Sequence, residues 1–137
     1  MTDPDCIFCK IVARELPATI VDEDELTVAF MDINPATRGH ALVVPRRHVR
    51  DLLSVDPEDL CATSAAAQRL AARMRERLGA EGINILNSCG AAAWQTVFHF
   101  HLHVIPRYAD DPLRLPWTPA AGDAQEVASA AQELGRV

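Results

Sequence analysis

Val97-Phe98-His99-Phe100-His101-Leu102-His103-Val104-Ile105 alternates an imidazole with an apolar side chain through its centre. Alternation with a period of two is the signature of a strand, because successive side chains point to opposite faces. The spacing predicts one strand over Trp94 to Arg107, with His99, His101 and His103 on one face. Phe98, Phe100, Leu102 and Val104 then lie on the other face and anchor the strand to a core. Three imidazoles side by side in a dry core would lack partners, so their face is expected to meet solvent, a ligand or a metal.

Moving upstream, Ile83, Ile85 and Asn87 alternate with Asn84, Leu86 and Ser88 as a fourth strand, and Ser88 to Ala93 is a small-residue loop. Before it the period changes. Asp56 is an N-cap, Pro57 suits the first helical position, and Leu60, Ala67, Leu70, Met74 and Leu78 recur at helical steps until Gly79 stops them. His40 to Val44 reads as a buried third strand ended by Pro45, and Thr19–Asp22 with Leu26–Asp32 as a hairpin across an acidic turn. Asp5 to Glu15 suits a short N-terminal helix that stops before Pro17. Ala109 to Gly122, with three prolines, is expected to be irregular. Asp123 to Leu134 is Ala-rich with helical composition but little apolar periodicity, and is expected to be mobile or partner-dependent. The sum is an α+β domain with a five-stranded antiparallel sheet, a long helix and a short N-terminal helix.

Composition limits what such a domain does. At 137 residues, 49% of them hydrophobic, the chain reads as one domain over residues 1–137 that buries a real core. Its 13 basic and 19 acidic side chains give a net charge of -6, which argues against a nucleic-acid or anionic-membrane binder. Neither an apolar leader nor an 18-residue apolar window occurs, so a cytoplasmic location is expected. Cys61 and Cys89 read as free thiols.

Two chemistries fit the histidine run. Neutral imidazoles are zinc ligands, and a three-His site with an open position activates water. Alternatively a His nitrogen attacks phosphorus and forms a covalent intermediate while its neighbours bind the phosphoryl oxygens. Asn87, Gln95 and Thr96 supply neutral donors and no carboxylate lies within the motif, which favours the second. Cys6 and Cys9 have the spacing of half a Cys2His2 zinc site, of a redox pair, or of two small buried apolar residues. Arg46, Arg47 and Arg50 either steer anions or form a solvated surface, and His40 reads as the start of a strand after a turn glycine.

Gln95 to Ile105 resembles the signature of the histidine triad (HIT) family, His-apolar-His-apolar-His-apolar-apolar. The resemblance extends to Cys6-Ile7-Phe8-Cys9-Lys10-Ile11, Phe30-Met31-Asp32-Ile33-Asn34-Pro35 and Gly39 to His48, and so covers about residues 5–107. Residues 108–137 form a Pro-rich loop and tail beyond it. It implies a nucleotide hydrolase or transferase acting on nucleoside 5'-monophosphate derivatives such as adenosine phosphoramidates. His101 would be the nucleophile, His103 would bind the phosphate, and His99 would orient and polarise His101 through hydrogen bonds. Asp32 would hold the ribose, Ile33 would pack on a purine base, and Asn87, Gln95 and Thr96 would contact the phosphate and leaving group.

The same resemblance implies a homodimer whose two sheets join into ten strands. Bacterial members with the Cys-x-x-Cys hold structural zinc, here by Cys6, Cys9, His48 and His99, with no metal needed for catalysis. The N-terminal half is similar to the histidine triad nucleotide-binding (phosphoramidase) branch and its bacterial relatives. That branch has Gly where this chain has Trp94 and Ser where it has Thr96, and Gln95-Thr96-Val97 with Ile105-Pro106-Arg107 looks more like the dinucleoside polyphosphate hydrolases. Trp94 would narrow or reshape the leaving-group pocket. Two further classes remain: a zinc-dependent hydrolase using the triad as ligands, and a nucleotide-binding protein without turnover.

Overall fold

The computed structural model describes residues 2–135. In chain order the elements are α1 (Ile7–Val12), β1 (Ile20–Glu23), β2 (Thr27–Met31), β3 (Ala41–Pro45), α2 (Pro57–Leu78), β4 (Gly82–Leu86), a short 3-10 turn (Ala91–Ala93), β5 (Leu102–Arg107) and α3 (Ala124–Leu134). The five strands form one sheet in the order β1-β2-β3-β5-β4, with every neighbouring pair antiparallel. The fold is the α+β arrangement expected from the sequence.

Both faces of the sheet are covered. On one, Ala66, Ala67, Leu70 and Met74 of α2 pack against Ala29, Ala41, Val43, Leu102 and Val104. On the other, Phe8 of α1 joins Val28, Phe30, Leu42 and Val44. Double coverage explains why β3 is buried at all five positions rather than at alternate ones. The two helices differ in what ends them. Asp56 accepts the Asp59 N–H at 2.9 Å, and Gly79 closes α2 in the left-handed region at φ 70°, as the spacing of caps implies. α1 is only six residues long, shorter than the expected span from Asp5 to Glu15, and the chain leaves it through Arg14 at φ 65°.

The histidine run departs from expectation in its regularity. β5 begins at Leu102, so only His103 of the triad is a ladder residue, paired with Leu42 on one side and Leu86 on the other. Pro45 is the reason. Continuing the β3–β5 register would set Phe100 opposite Pro45, which has no N–H to give and whose carbonyl accepts from the His99 ring at 2.8 Å. The Phe100 N–H goes instead to the Val49 carbonyl at 2.7 Å. Beyond β5, residues 109–123 are irregular, and α3 is capped by Asp123 with none of its side chains buried. α3 does carry an apolar stripe, Ala124, Val127, Ala131 and Leu134, that composition alone had hidden.

Candidate active site and metal cluster

Two of the triad histidines, His99 and His101, are oriented by a backbone carbonyl, which can only accept a hydrogen bond. The His99 ring is fully buried and its Nε2 faces the Pro45 carbonyl at 2.8 Å. A carbonyl only accepts, so Nε2 carries the proton and Nδ1 is bare. That bare nitrogen lies 3.5 Å from the Sγ atoms of both Cys6 and Cys9, while His48 Nδ1 lies 3.4 Å from Cys9 Sγ. Burial holds the His99 pKa down to about 4 and pushes the Cys9 thiol up.

The sequence-predicted metal set thus comes together, with its four donor atoms within 4.8 Å of one another. Zinc at the usual bond lengths in a tetrahedron would separate sulfur from nitrogen by about 3.6 Å. The donors fit that ion in type and spacing. Backbone N–H groups of Asp3 and Cys9 each point at a sulfur, at 3.4 Å, as suits thiolates. The Asp3 carboxylate lies 3.8 Å from His48 Nε2, where it can orient the ring from outside.

His101 is used differently. Its Nδ1 lies 2.7 Å from the His99 carbonyl, so it donates there and leaves Nε2 as a lone pair. The orienting contact from His99 is therefore its backbone oxygen, whereas its ring belongs to the cysteine cluster. Burial lowers the His101 pKa, offset in part by that hydrogen bond and by the Asp32 charge. Phe8 packs edge-on against the ring at 5.1 Å and fixes its plane.

His101 and His103 lie on a cleft of about 590 Å³. Asp32, Ile33, Trp94 and Thr96 also line it, and among the described residues no Lys or Arg does. Ile33 is 91% exposed and Trp94 65%, leaving two large apolar side chains at an open rim. Trp94 sits at φ 74°, a left-handed conformation that costs a bulky residue about 1–3 kcal/mol. Asp32 accepts the Asn34 N–H through Oδ1 at 2.7 Å, while Oδ2 lies 3.4 Å from His40 Nε2.

Two expected contacts are not placed on the cleft. Gln95 is buried, and its amide is spent on the backbone: Oε1 accepts from Gly90, and Nε2 donates to the carbonyls of Arg50 and Val97. Asn87 donates to the His101 carbonyl at 3.0 Å, and its buried Oδ1 has no partner among the described residues. The arginines are also committed elsewhere. Arg46 pairs with Glu23, Arg47 with Asp56 and Asp59, and Arg50 lies over the Phe98 ring at 4.3 Å. Sequence reasoning gives His40 only the start of a strand, whereas its Nε2 is 2.9 Å from His103 Nδ1. The only clue was a histidine directly after a turn glycine. The triad rings do not converge on one point. Two groups form, Cys6-Cys9-His48-His99 and Asp32-His40-His103, and His101 is in neither.

Comparison with known proteins finds relatives of the same fold. The model of the HIT domain matches residues 13–110. A solved structure from Streptococcus mutans UA159, SMU.412c, superposes with a TM-score of 0.91 at 37% identity, covering 97% of this chain and 85% of that one. A histidine triad family protein from Mycobacterium smegmatis, solved with zinc bound, is 45% identical with a TM-score of 0.78, over 85% of this chain and 84% of that one. A HIT family hydrolase from Clostridium thermocellum is 38% identical with a TM-score of 0.71, over 83% of this chain and all of that one.

Proposed function

The chain belongs to the HIT domain family, and from that premise we propose that it hydrolyses nucleoside 5'-monophosphate derivatives, AMP–X, by way of a nucleotidyl-His101 intermediate. The observation that carries the reading is the pair of contacts at His101. Its Nδ1 proton is spent on the His99 carbonyl, which leaves Nε2 bare on a side chain that lines the cleft. In the first step Nε2 attacks phosphorus, a P–N bond forms, and the P–X bond breaks, with X leaving as it takes up a proton. Water then attacks the same phosphorus, the P–N bond breaks, and AMP and neutral His101 are regenerated. Asp32 accepts from the ribose hydroxyls and Ile33 covers a purine base at the rim. His103 and Thr96 donate to the phosphoryl oxygens, and Gln95 and Asn87 hold the backbone that presents them. Among the described residues no Lys or Arg lines the cleft, so the donors they offer to the phosphate are neutral.

A relative described as a HIT family hydrolase supports hydrolysis as the reaction class. The exposed Trp94 on the cleft favours a second reading for X, a nucleotide whose base stacks on the indole, as in a dinucleoside polyphosphate. The donor geometry and the zinc-bound relative support structural zinc at Cys6, Cys9, His48 and His99. It would tie α1 to the sheet and take no part in the reaction. β4 is an edge strand with Ile85 and Leu86 exposed, which supports a homodimer joined along that edge. No helix among the described residues is long and apolar enough to cross a membrane.

The test is intact-protein mass after rapid quench with an adenosine phosphoramidate. One adenylyl group on wild type and none on His101→Gln is the expected result. Turnover without an adduct, or turnover abolished by a chelator that leaves the fold intact, would sink the covalent reading.

A further inference from the structure

We infer that His40 is a positioning residue that fixes the proton of His103 on Nε2, so that His103 faces the cleft as a neutral hydrogen-bond donor. The chain of reasoning begins at a backbone amide. The Ala36 N–H lies 2.9 Å from His40 Nδ1, and an N–H can only donate, so Nδ1 of His40 is bare. In the neutral ring the proton is then on Nε2. That atom is 2.9 Å from His103 Nδ1 and 3.4 Å from Asp32 Oδ2, so its stronger hydrogen bond goes to His103. His103 Nδ1 therefore accepts, and the proton of His103 sits on Nε2.

His101 and His103 thus hold opposite tautomers two residues apart: one offers a lone pair, the other an N–H. If AMP–X is the substrate, as proposed above, the lone pair attacks phosphorus while the N–H binds a phosphoryl oxygen. Without His40, His103 would be free to place its proton on Nδ1 and turn a lone pair toward the phosphate, which repels it. Burial of His40, at 5% exposure, keeps water from replacing the Ala36 contact.

The same three side chains, Asp32, His40 and His103, are close enough to hold a metal ion. The Ala36 amide speaks against it. A neutral histidine bound to a metal through Nε2 carries its proton on Nδ1, where it would point at the Ala36 N–H.

The experiment is long-range proton–nitrogen NMR of the zinc-loaded protein, reading the tautomer of His103 in wild type, His40→Leu and His40→Gln. Wild type is expected to show His103 protonated on Nε2, and His40→Leu to show a mixture or the Nδ1 form with kcat lowered about tenfold or more. His40→Gln, whose amide can still donate to His103 Nδ1, is expected to restore both. An Nδ1-protonated His103 in wild type overturns the inference, as does an unchanged tautomer in His40→Leu. So does a second zinc per chain that disappears in His40→Leu. The tautomer is read without substrate, so a protein that forms no adenylyl adduct but shows these shifts would refute the proposed reaction and leave the role of His40 standing.

Discussion

His101 Nδ1 lies 2.7 Å from the carbonyl oxygen of His99, while the His99 ring turns away to Pro45 and the two cysteines. One residue therefore serves two sites, its backbone orienting the proposed nucleophile and its side chain facing the cysteine cluster. Backbone and side-chain roles separate under mutation, which makes the division measurable.

Replacing His101 with Ala should lower kcat by about 10³-fold or more while zinc stays at one per chain, because the ring is not in the cysteine cluster. His99→Ala should lose zinc yet keep more turnover than His101→Ala, since its carbonyl remains. Metal content and single-turnover rates on both variants check the pair. Equal loss of zinc in the two would contradict the division.

The cluster should also matter for stability. Cys9 is buried and Phe8 beside it packs on Phe30 at 5.3 Å, so the proposed zinc would fasten α1 at one residue and the aromatic pair fastens it at the next. Cys9→Ser should leave no bound zinc and cost about 3 kcal/mol, seen as a Tm lower by about 10 °C. A chelator should shift wild type by a similar amount and leave the variant unmoved.

Acid should destabilise the protein through His103. Burial holds its pKa down to about 4, against about 6.5 when unfolded. The unfolded chain thus binds the proton more readily. The stabilising contribution is complete above the unfolded value and is lost as pH falls through the interval down to the folded one. Between pH 7.5 and 5 the loss from this group is about 2 kcal/mol. Urea unfolding of wild type and His103→Gln at both pH values isolates it: the gap between them should narrow in acid. A gap independent of pH would mean that His103 is not held neutral by the fold.

How much of this was legible in the sequence depends on the range of the interaction. α2 was readable to the residue because Asp56, Pro57 and Gly79 are local signals. The triad alternation was readable too, but not the start of β5 at Leu102, since that is set by Pro45 on another strand. Asn87 and Gln95 looked like phosphate ligands because an amide near an active-site motif is equally suited to a backbone carbonyl, and only the fold shows which it meets. From sequence alone His40 reads as the start of a strand. Its partners are an amide four positions back and a ring 63 positions on, and neither leaves a mark on local pattern.

The turn before His40 should be intolerant of any side chain. Gly39 has φ +94°, and a Cβ there would meet Leu78 Cδ1 at 2.5 Å and Pro106 Cγ at 3.2 Å. Backbone strain of about 1–3 kcal/mol adds to the overpacking, so Gly39→Ala should cost about 2–4 kcal/mol by urea unfolding. Gly79→Ala, at φ +70° with open space around it, should cost only about 1 kcal/mol. The comparison distinguishes conformational strain from crowding.

Gln95 offers the sharpest separation of positioning from contact. Its side chain joins Gly90, Arg50 and Val97, and so ties together the loop that carries Trp94 and Thr96 to the cleft. Gln95→Leu leaves one buried N–H without its acceptor and two carbonyls without a donor, a cost of about 2–4 kcal/mol. The loop should then sample positions in which Thr96 no longer reaches the phosphate, and kcat/KM should fall about tenfold while the His101 adduct still forms. A direct phosphate ligand would behave in the opposite way, since its loss removes a donor to the transition state and barely alters unfolding. Measuring both quantities on Gln95→Leu decides between them, because only a positioning role links the kinetic loss to a loss of stability.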